Sequence, residues 1–288
     1  MRAYLDCLPC FLRQALDAAR RVSDDERDQH RVICAVSEAI SGFSLDATPI
    51  DLGRDVHRIV REVTGVDDPY LEAKRRDNSR AIALLPDLRE KVATSTDPIR
   101  MSLRLAALGN TIDLGVYSSV DIHREIEQEE DNEMDMEDYP LFRERLDGTD
   151  KVLYLGDNAG EIAFDRLVVE QLTHIGKRVT FAVRGRPILN DATIDDAIFV
   201  GMNDVAEVIS SGADAPGTVL HRCLPEFAAV FETAEVILSK GQGNFEGLSE
   251  ECAPLFFLLK AKCPVVAGEL GVAVGEMVLR AQRTGRTL

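Results

Sequence analysis

The 288-residue sequence predicts an α/β fold, a mainly parallel sheet with helices on both faces, preceded by a helical N-terminal part. Three observations carry this. Residues from about 8 to 120 repeat apolar side chains at helical spacing. The second half alternates short apolar runs with helical stretches, as βαβ units do. The run Lys151–Leu155, too short for a helix, turns through Gly156–Gly160 into a helix on which Ile162, Leu167, Val168 and Leu172 share a face. The boundary between a helical domain, 1–146, and an α/β domain, 147–288, falls near residue 147.

In the helical part, Val32, Ile33, Val36 and Ile40 keep helical spacing, as do Val56, Ile59, Val60 and Val63. Thr64-Gly65 and Asp67-Asp68-Pro69 then separate that helix from one running from Pro69 past Asn78. Met101–Leu108 forms another helix, with Gly109-Asn110 placed as a C-cap. Tyr70, Lys74, Asn78, Asn110 and Asp113 read individually as cap and surface residues. Nine of the fourteen residues from Glu125 to Asp138 are acidic, which reads as a solvated helix face or a connector.

In the α/β part, the strands are Lys151–Leu155, Arg178–Val183, Val205–Ile209, Glu235–Ser239, Leu255–Leu259 and Pro264–Ala267. Helices run from Glu161 to about Thr173 and from Pro225 to Thr233, with a short one around Asp195 and Asp196. There is no internal repeat.

Composition narrows the function. A formal net charge of −17 and a pI near 4.7 disfavour binding to a nucleic-acid backbone or an anionic membrane. No apolar run reaches the length of a membrane span, and Asp6, Arg13 and Asp17 interrupt any signal-type stretch. Six cysteines without an export signal indicate a reducing cytoplasm and free thiols. Cys7 and Cys10 form a CxxC, which serves as a redox pair, half a zinc site, or two thiols at a helix start. No second CxxC exists, so the pair reads as structural or incidental to turnover, although a helix N-terminus lowers a thiol pKa.

Polar residues cluster after three strands: Asp157-Asn158 with Glu161, Arg184 with Asn190-Asp191, and Lys240-Gly241 with Asn244 and Glu246. In a parallel sheet all strand C-termini meet one edge, where ligands collect. Asp157, Asn158 and Asp191 offer oxygen to one hard divalent cation. Lys240 supplies a point charge for phosphate, and the glycines let backbone amides approach an anion. A metal beside an anion site indicates phosphoryl chemistry. G-x-G-x-x-G is incomplete, the second strand ends in Arg184 rather than a ribose-binding acid, and G-x-x-x-x-G-K-[ST] is absent.

These stretches, with Asp67-Asp68-Pro69-Tyr70, Lys74, Asn78, Gly109-Asn110 and Ile112-Asp113, resemble the domain-of-unknown-function-89 family of metal-dependent damage-control phosphatases. Cys7-x-x-Cys10 resembles its prokaryotic cysteine-pair branch. The resemblance implies a Rossmann-like three-layer α/β/α domain with an N-terminal helical domain. It implies one divalent metal (Mg2+, Mn2+, Co2+ or Ni2+) on Asp157, Asn158 and Asp191, with Lys240 contacting phosphate. Catalysis then falls to Asp157, Lys240 and Asp191. Glu161, Arg184, Asn190, Lys240, Gly241, Asn244 and Glu246 line the substrate pocket, and Asp157 acts as ligand or nucleophile. The implied activity is hydrolysis of small phosphorylated metabolites, such as sugar phosphates or phosphopantetheine-like compounds. The alternatives are a carboxyl methyltransferase using S-adenosylmethionine and a non-catalytic metal-binding protein.

Overall fold

The computed structural model describes residues 1–109 and 134–282. Asn110, Asp113 and most of the acidic run lie outside the described residues. The first five helices are α1 (Cys7–Val22), α2 (Glu26–Ile40), α3 (Pro49–Thr64), α4 (Leu71–Thr94) and α5 (Pro98–Gly109). Then come α6 (Tyr139–Asp147), β1 (Lys151–Leu155), α7 (Glu161–His174), β2 (Arg178–Val183), α8 (Ile194–Phe199) and β3 (Glu207–Ser210). The chain continues through α9 (Pro225–Thr233), β4 (Ile237–Lys240), α10 (Gln242–Leu248), β5 (Leu255–Lys260), α11 (Pro264–Leu270) and β6 (Met277–Ala281).

The six strands form one sheet in the order β3-β2-β1-β4-β5-β6. All neighbours are parallel except β6, which runs antiparallel to β5 with Leu258 opposite Leu279. This is the α/β class expected. The order reverses direction between β1 and β4, which makes the gap beyond their carboxyl ends the crevice where such folds hold ligands.

Side chains alternate across each strand, so β1 sends Val152 and Tyr154 to one layer and Leu153 and Leu155 to the other. The first layer is α4, α5, α6 and α7; Phe142 and Phe164 are fully buried in it. The second is α9, α10 and α11, with Phe227, Phe245 and Val266. Helices α1 to α3 pack on one another around Phe11, Val32, Val36, Val56 and Val60. Completely burying one such apolar side chain contributes about 1.5–3 kcal/mol.

Three departures from the sequence reading have local causes. Pro264–Ala267, expected as a strand, begins helix α11. Pro264 occupies the first turn, where its missing N–H is harmless, and Gly271 closes the helix at φ +73°. The edge strand β6 was not foreseen, because Gly271 and Gly275 break up the approach to a short run. Of the acidic stretch, Asp135 forms a bridge with Val278 and an ion pair with Arg280, and Asp138 Oδ2 accepts from Ala281 N at 2.8 Å. Its last residues therefore lie against β6 rather than on a solvated helix face.

Candidate active site

The turn after β1 and the turn after β2 are zipped together at the crevice. Asn158 and Asp191 form an antiparallel bridge. Ala159 N donates to Asn190 O and Ala192 N donates to Asp157 O, each at 2.8 Å. Leu189, just before this pair, sits at φ +46°, a left-handed conformation strained by about 1–2 kcal/mol outside glycine. It is held there by packing on the α1–α3 core. The Asn190-Asp191 pair is not a helix cap; Thr193 caps α8 in a reciprocal box with Asp196.

Asp157 and Asp191 are buried, and Arg184, 2% exposed, lies between them. Arg184 Nε donates to Asp191 Oδ2 at 2.6 Å and Nη1 to Thr218 Oγ1 at 3.1 Å; Nη2 stands 3.6 Å from Asp157 Oδ1 without a hydrogen bond. One guanidinium does not balance the acids here. Burial, then Glu161 and Asp191, push the Asp157 carboxyl up to about 8, against the pull of Arg184 and Lys262. Burial also raises the Asp191 carboxyl despite Arg184.

The donor set is two carboxylates and an amide, all hard oxygen ligands, with negative charge in excess. This fits a divalent cation of the Mg2+ or Mn2+ type. Among the described residues no group of three or more His, Cys, Asp or Glu is arranged to hold a metal. A cation here would therefore lean on the Asn158 carbonyl, backbone oxygen and water beside the two aspartates.

The other expected site residues divide. Glu161 opens α7, where a carboxylate suits the helix dipole, and accepts from Asn158 Nδ2 at 2.7 Å. Lys240 ends β4 and is fully buried, 3.3 Å from Glu161 Oε2 and 3.1 Å from Asp165 Oδ1. Burial disfavours its charge, but Asp165 and Glu161 outweigh that and raise its pKa. Asn244 is also fully buried: Nδ2 donates to Gly156 O and Lys240 O, and Oδ1 accepts from Thr218. It clamps the β1 and β4 turns, with its amide hydrogens already spent. The Gly241 N–H is likewise taken, by Leu258 O at 3.0 Å. Asn190 is half-buried and contributes its carbonyl to the zipped turns. Glu246 faces elsewhere: it accepts from Gln242 at 2.7 Å, and burial pushes its carboxyl up to about 7.

Several residues that matter here were read otherwise or passed over. Tyr70, Lys74 and Asn78 are buried, not surface residues. Asn78 Oδ1 accepts from Gly160 N at 2.6 Å and its Nδ2 donates to Asp196 at 2.9 Å; Lys74 pairs with Asp68 at 2.8 Å and Asp196 at 3.3 Å. Asp165 was detectable as an acid four residues after Glu161, on the face of α7 that is otherwise apolar. Lys262, exposed after β5 with its N–H held by Gln242 at 2.9 Å, is near enough to Asp157 to act on its charge. Nothing in its local sequence marked it. Cys7 and Cys10 are free thiols, and burial raises the Cys7 pKa, so the helix start does not make it a thiolate. A small pocket of about 50 Å3 opens between α1, α2 and the end of α3 but contains none of these residues.

Comparison with known proteins agrees over nearly the whole length. Residues 3–278 match the model of the Damage-control phosphatase ARMT1-like domain. The chain is 37% identical over 284 residues to an uncharacterized protein of Methanocaldococcus jannaschii, covering 95% of this chain and 93% of that one. It is 36% identical to a damage-control phosphatase of Archaeoglobus fulgidus, covering 95% and 97% of the two chains. A crystal structure of a DUF89 family protein from Pyrococcus horikoshii superposes with a TM-score of 0.90 at 31% identity, covering 98% of this chain and all of that one. With the zipped Asp157 and Asp191 turns at the switch point of the same fold, these matches establish that the chain belongs to the damage-control phosphatase ARMT1-like, or DUF89, family.

Proposed function

We propose that this chain is a divalent-metal-dependent phosphatase acting on small phosphorylated metabolites, with Asp157, Asn158 and Asp191 holding the metal. The observation that carries the reading is the joining of two oxygen-rich turns at the sheet's switch point, with buried carboxylates that one arginine does not neutralise. Relatives named damage-control phosphatases support it.

When bound, the metal would polarise the phosphoryl group and orient the attacking water. The chain's own residues would prepare the site. Arg184 holds Asp191 and faces Asp157, fixing both carboxylates in one place. Lys262 is an exposed cation at this edge, available to phosphoryl oxygens, whereas Lys240 is enclosed by acids. Sugar phosphates and phosphopantetheine-like compounds are the substrate classes to try. The six free thiols fit the reducing cytoplasm expected for the chain. No helix among the described residues is long and apolar enough to cross a membrane.

The test strips the protein with chelator, adds Mg2+, Mn2+, Co2+ or Ni2+ singly, and measures phosphate release from p-nitrophenyl phosphate and a sugar-phosphate panel. Release that needs metal and disappears in Asp191→Ala and Asp157→Asn is the expected result. Folded protein with no release under any metal would discard the phosphatase reading. Stabilisation by S-adenosylmethionine in a melt would then favour a methyltransferase, although Arg184 stands where that chemistry wants a ribose-binding acid.

A further inference from the structure

A continuous buried chain of polar contacts runs beneath the candidate metal site. Tyr154 Oη donates to Asp165 Oδ1 at 2.8 Å. Lys240 Nζ stands 3.1 Å from the same oxygen and 3.3 Å from Glu161 Oε2. Glu161 Oε1 accepts from Asn158 Nδ2 at 2.7 Å, and the same Nδ2 donates to Asp157 Oδ2 at 3.1 Å. Tyr154, Asp165 and Lys240 are fully buried, and Glu161 and Asp157 are 7% exposed. The proposed phosphatase site uses none of Tyr154, Asp165 or Glu161.

The chemistry of these contacts has a direction. In their ionised form, the form that holds a cation, the two carboxylates only accept, so the Asn158 amide must turn its NH2 to them. Its carbonyl oxygen is thereby turned away from both acids and takes no hydrogen bond from any described residue. The oxygen, and not the NH2, is thus the end of the amide left for a cation. Glu161 can hold the NH2 only while it stays in place, and Lys240 pairs with its other oxygen. Lys240 is itself seated on Asp165, which Tyr154 fixes. An outer arrangement of this kind orients a ligand and tunes its affinity without touching the ion.

We propose that Lys240, Asp165 and Tyr154 are positioning residues for the metal, acting through Glu161 to set the Asn158 carbonyl. The proposal rests on the metal-dependent reading above and deepens it. It also accounts for a lysine with no exposed surface at an edge where ligands are expected.

The test measures Mn2+ affinity directly, from the electron paramagnetic resonance of free Mn2+, in wild type, Glu161→Gln and the double variant Lys240→Met/Asp165→Asn. The double variant removes one buried cation and one buried anion together, and Glu161→Gln preserves side-chain shape, so at least one folded variant is expected by thermal melt. Mn2+ binding should weaken about 10–100-fold in both. KM for p-nitrophenyl phosphate at saturating Mn2+ should change less than about twofold. Wild-type Mn2+ affinity in the folded variants, or a raised KM in the double variant with unchanged Mn2+ affinity, would overturn the proposal and return Lys240 to the phosphoryl group. Wild type that binds no Mn2+ would remove the metal reading itself.

Discussion

Gly241 is the position at which a single methyl group would report on Asp157. Its φ of +87° lies in the left-handed region, and a Cβ built there falls 1.9 Å from Asp157 Oδ2, 2.3 Å from Cγ and 2.9 Å from Cβ. Ordinary contact begins near 3.4 Å, so in Gly241→Ala the carboxylate must retreat by about 1.5 Å or the β4 turn must move. With ψ at 161°, a backbone essentially confined to glycine, the strain alone is about 1–3 kcal/mol, a loss of several degrees in melting temperature for a chain of this size. A displacement beyond 1 Å at a reacting site is expected to lower metal-dependent turnover on the order of 100-fold. Gly271→Ala separates the two effects: its φ is +73°, with nothing within 4 Å of the added methyl. Gly271→Ala should show the backbone strain alone in a thermal melt, Gly241→Ala should lose more because of the added clash with Asp157, and only Gly241→Ala should lose phosphate release in the metal-replete assay. Full activity in Gly241→Ala, or an equal loss in Gly271→Ala, would refute the placing of Asp157 at the centre of the chemistry.

Other consequences follow from the buried network between α4 and the site. Asn78→Ala leaves Gly160 N–H and Asp196 Oδ1 without their partner, and should cost about 1–3 kcal/mol in urea unfolding. Lys74→Met abandons Asp68 and Asp196 in low dielectric, a loss of about 3–5 kcal/mol; a change below 1 kcal/mol would show that water reaches the pair. His57 is buried, and burial, then Arg61, lowers its pKa from 6.5 to about 3. The folded protein thus keeps His57 neutral where the unfolded chain protonates it. Its contribution is complete above about pH 6.5 and is lost as pH falls towards 3. Between pH 7 and pH 5 wild type should lose about 2 kcal/mol that His57→Gln does not, and parallel pH profiles would contradict this.

The sheet was legible because its strands are apolar runs bounded by glycine and charge, and because the polar turns after β1, β2 and β4 share one edge in any parallel sheet. That geometry brought Asp157, Asn158, Asp191 and Arg184 into one place as expected from the sequence. What could not be read was which way each neighbouring side chain turns. Asn244 and Lys240 follow β4 as an anion-binding pair would, yet one is clamped on carbonyls and the other is sealed between acids. Glu246 lies on the same short helix as Asn244, but its rotation directs it to Gln242. Lys74 and Asn78 looked like surface because polar residues usually are, and only the docking of α4 on α7 and α8 reveals them as buried. Pro264-Val-Val-Ala illustrates the helix–strand ambiguity of a short apolar run; flanking proline and glycine decided it.

The contact between Asn78 and Gly160 joins residues 82 positions apart, and that between Lys74 and Asp196 joins residues 122 apart. Such links close large loops and form slowly compared with the helices that carry them. Helix α4 leaves the ribosome well before the turn it must brace. In refolding, far-UV circular dichroism should recover first and Mn2+ binding only later, once α4 has docked. The brace is thus made before the turn it holds, and the candidate site is finished only when that later turn docks on α4.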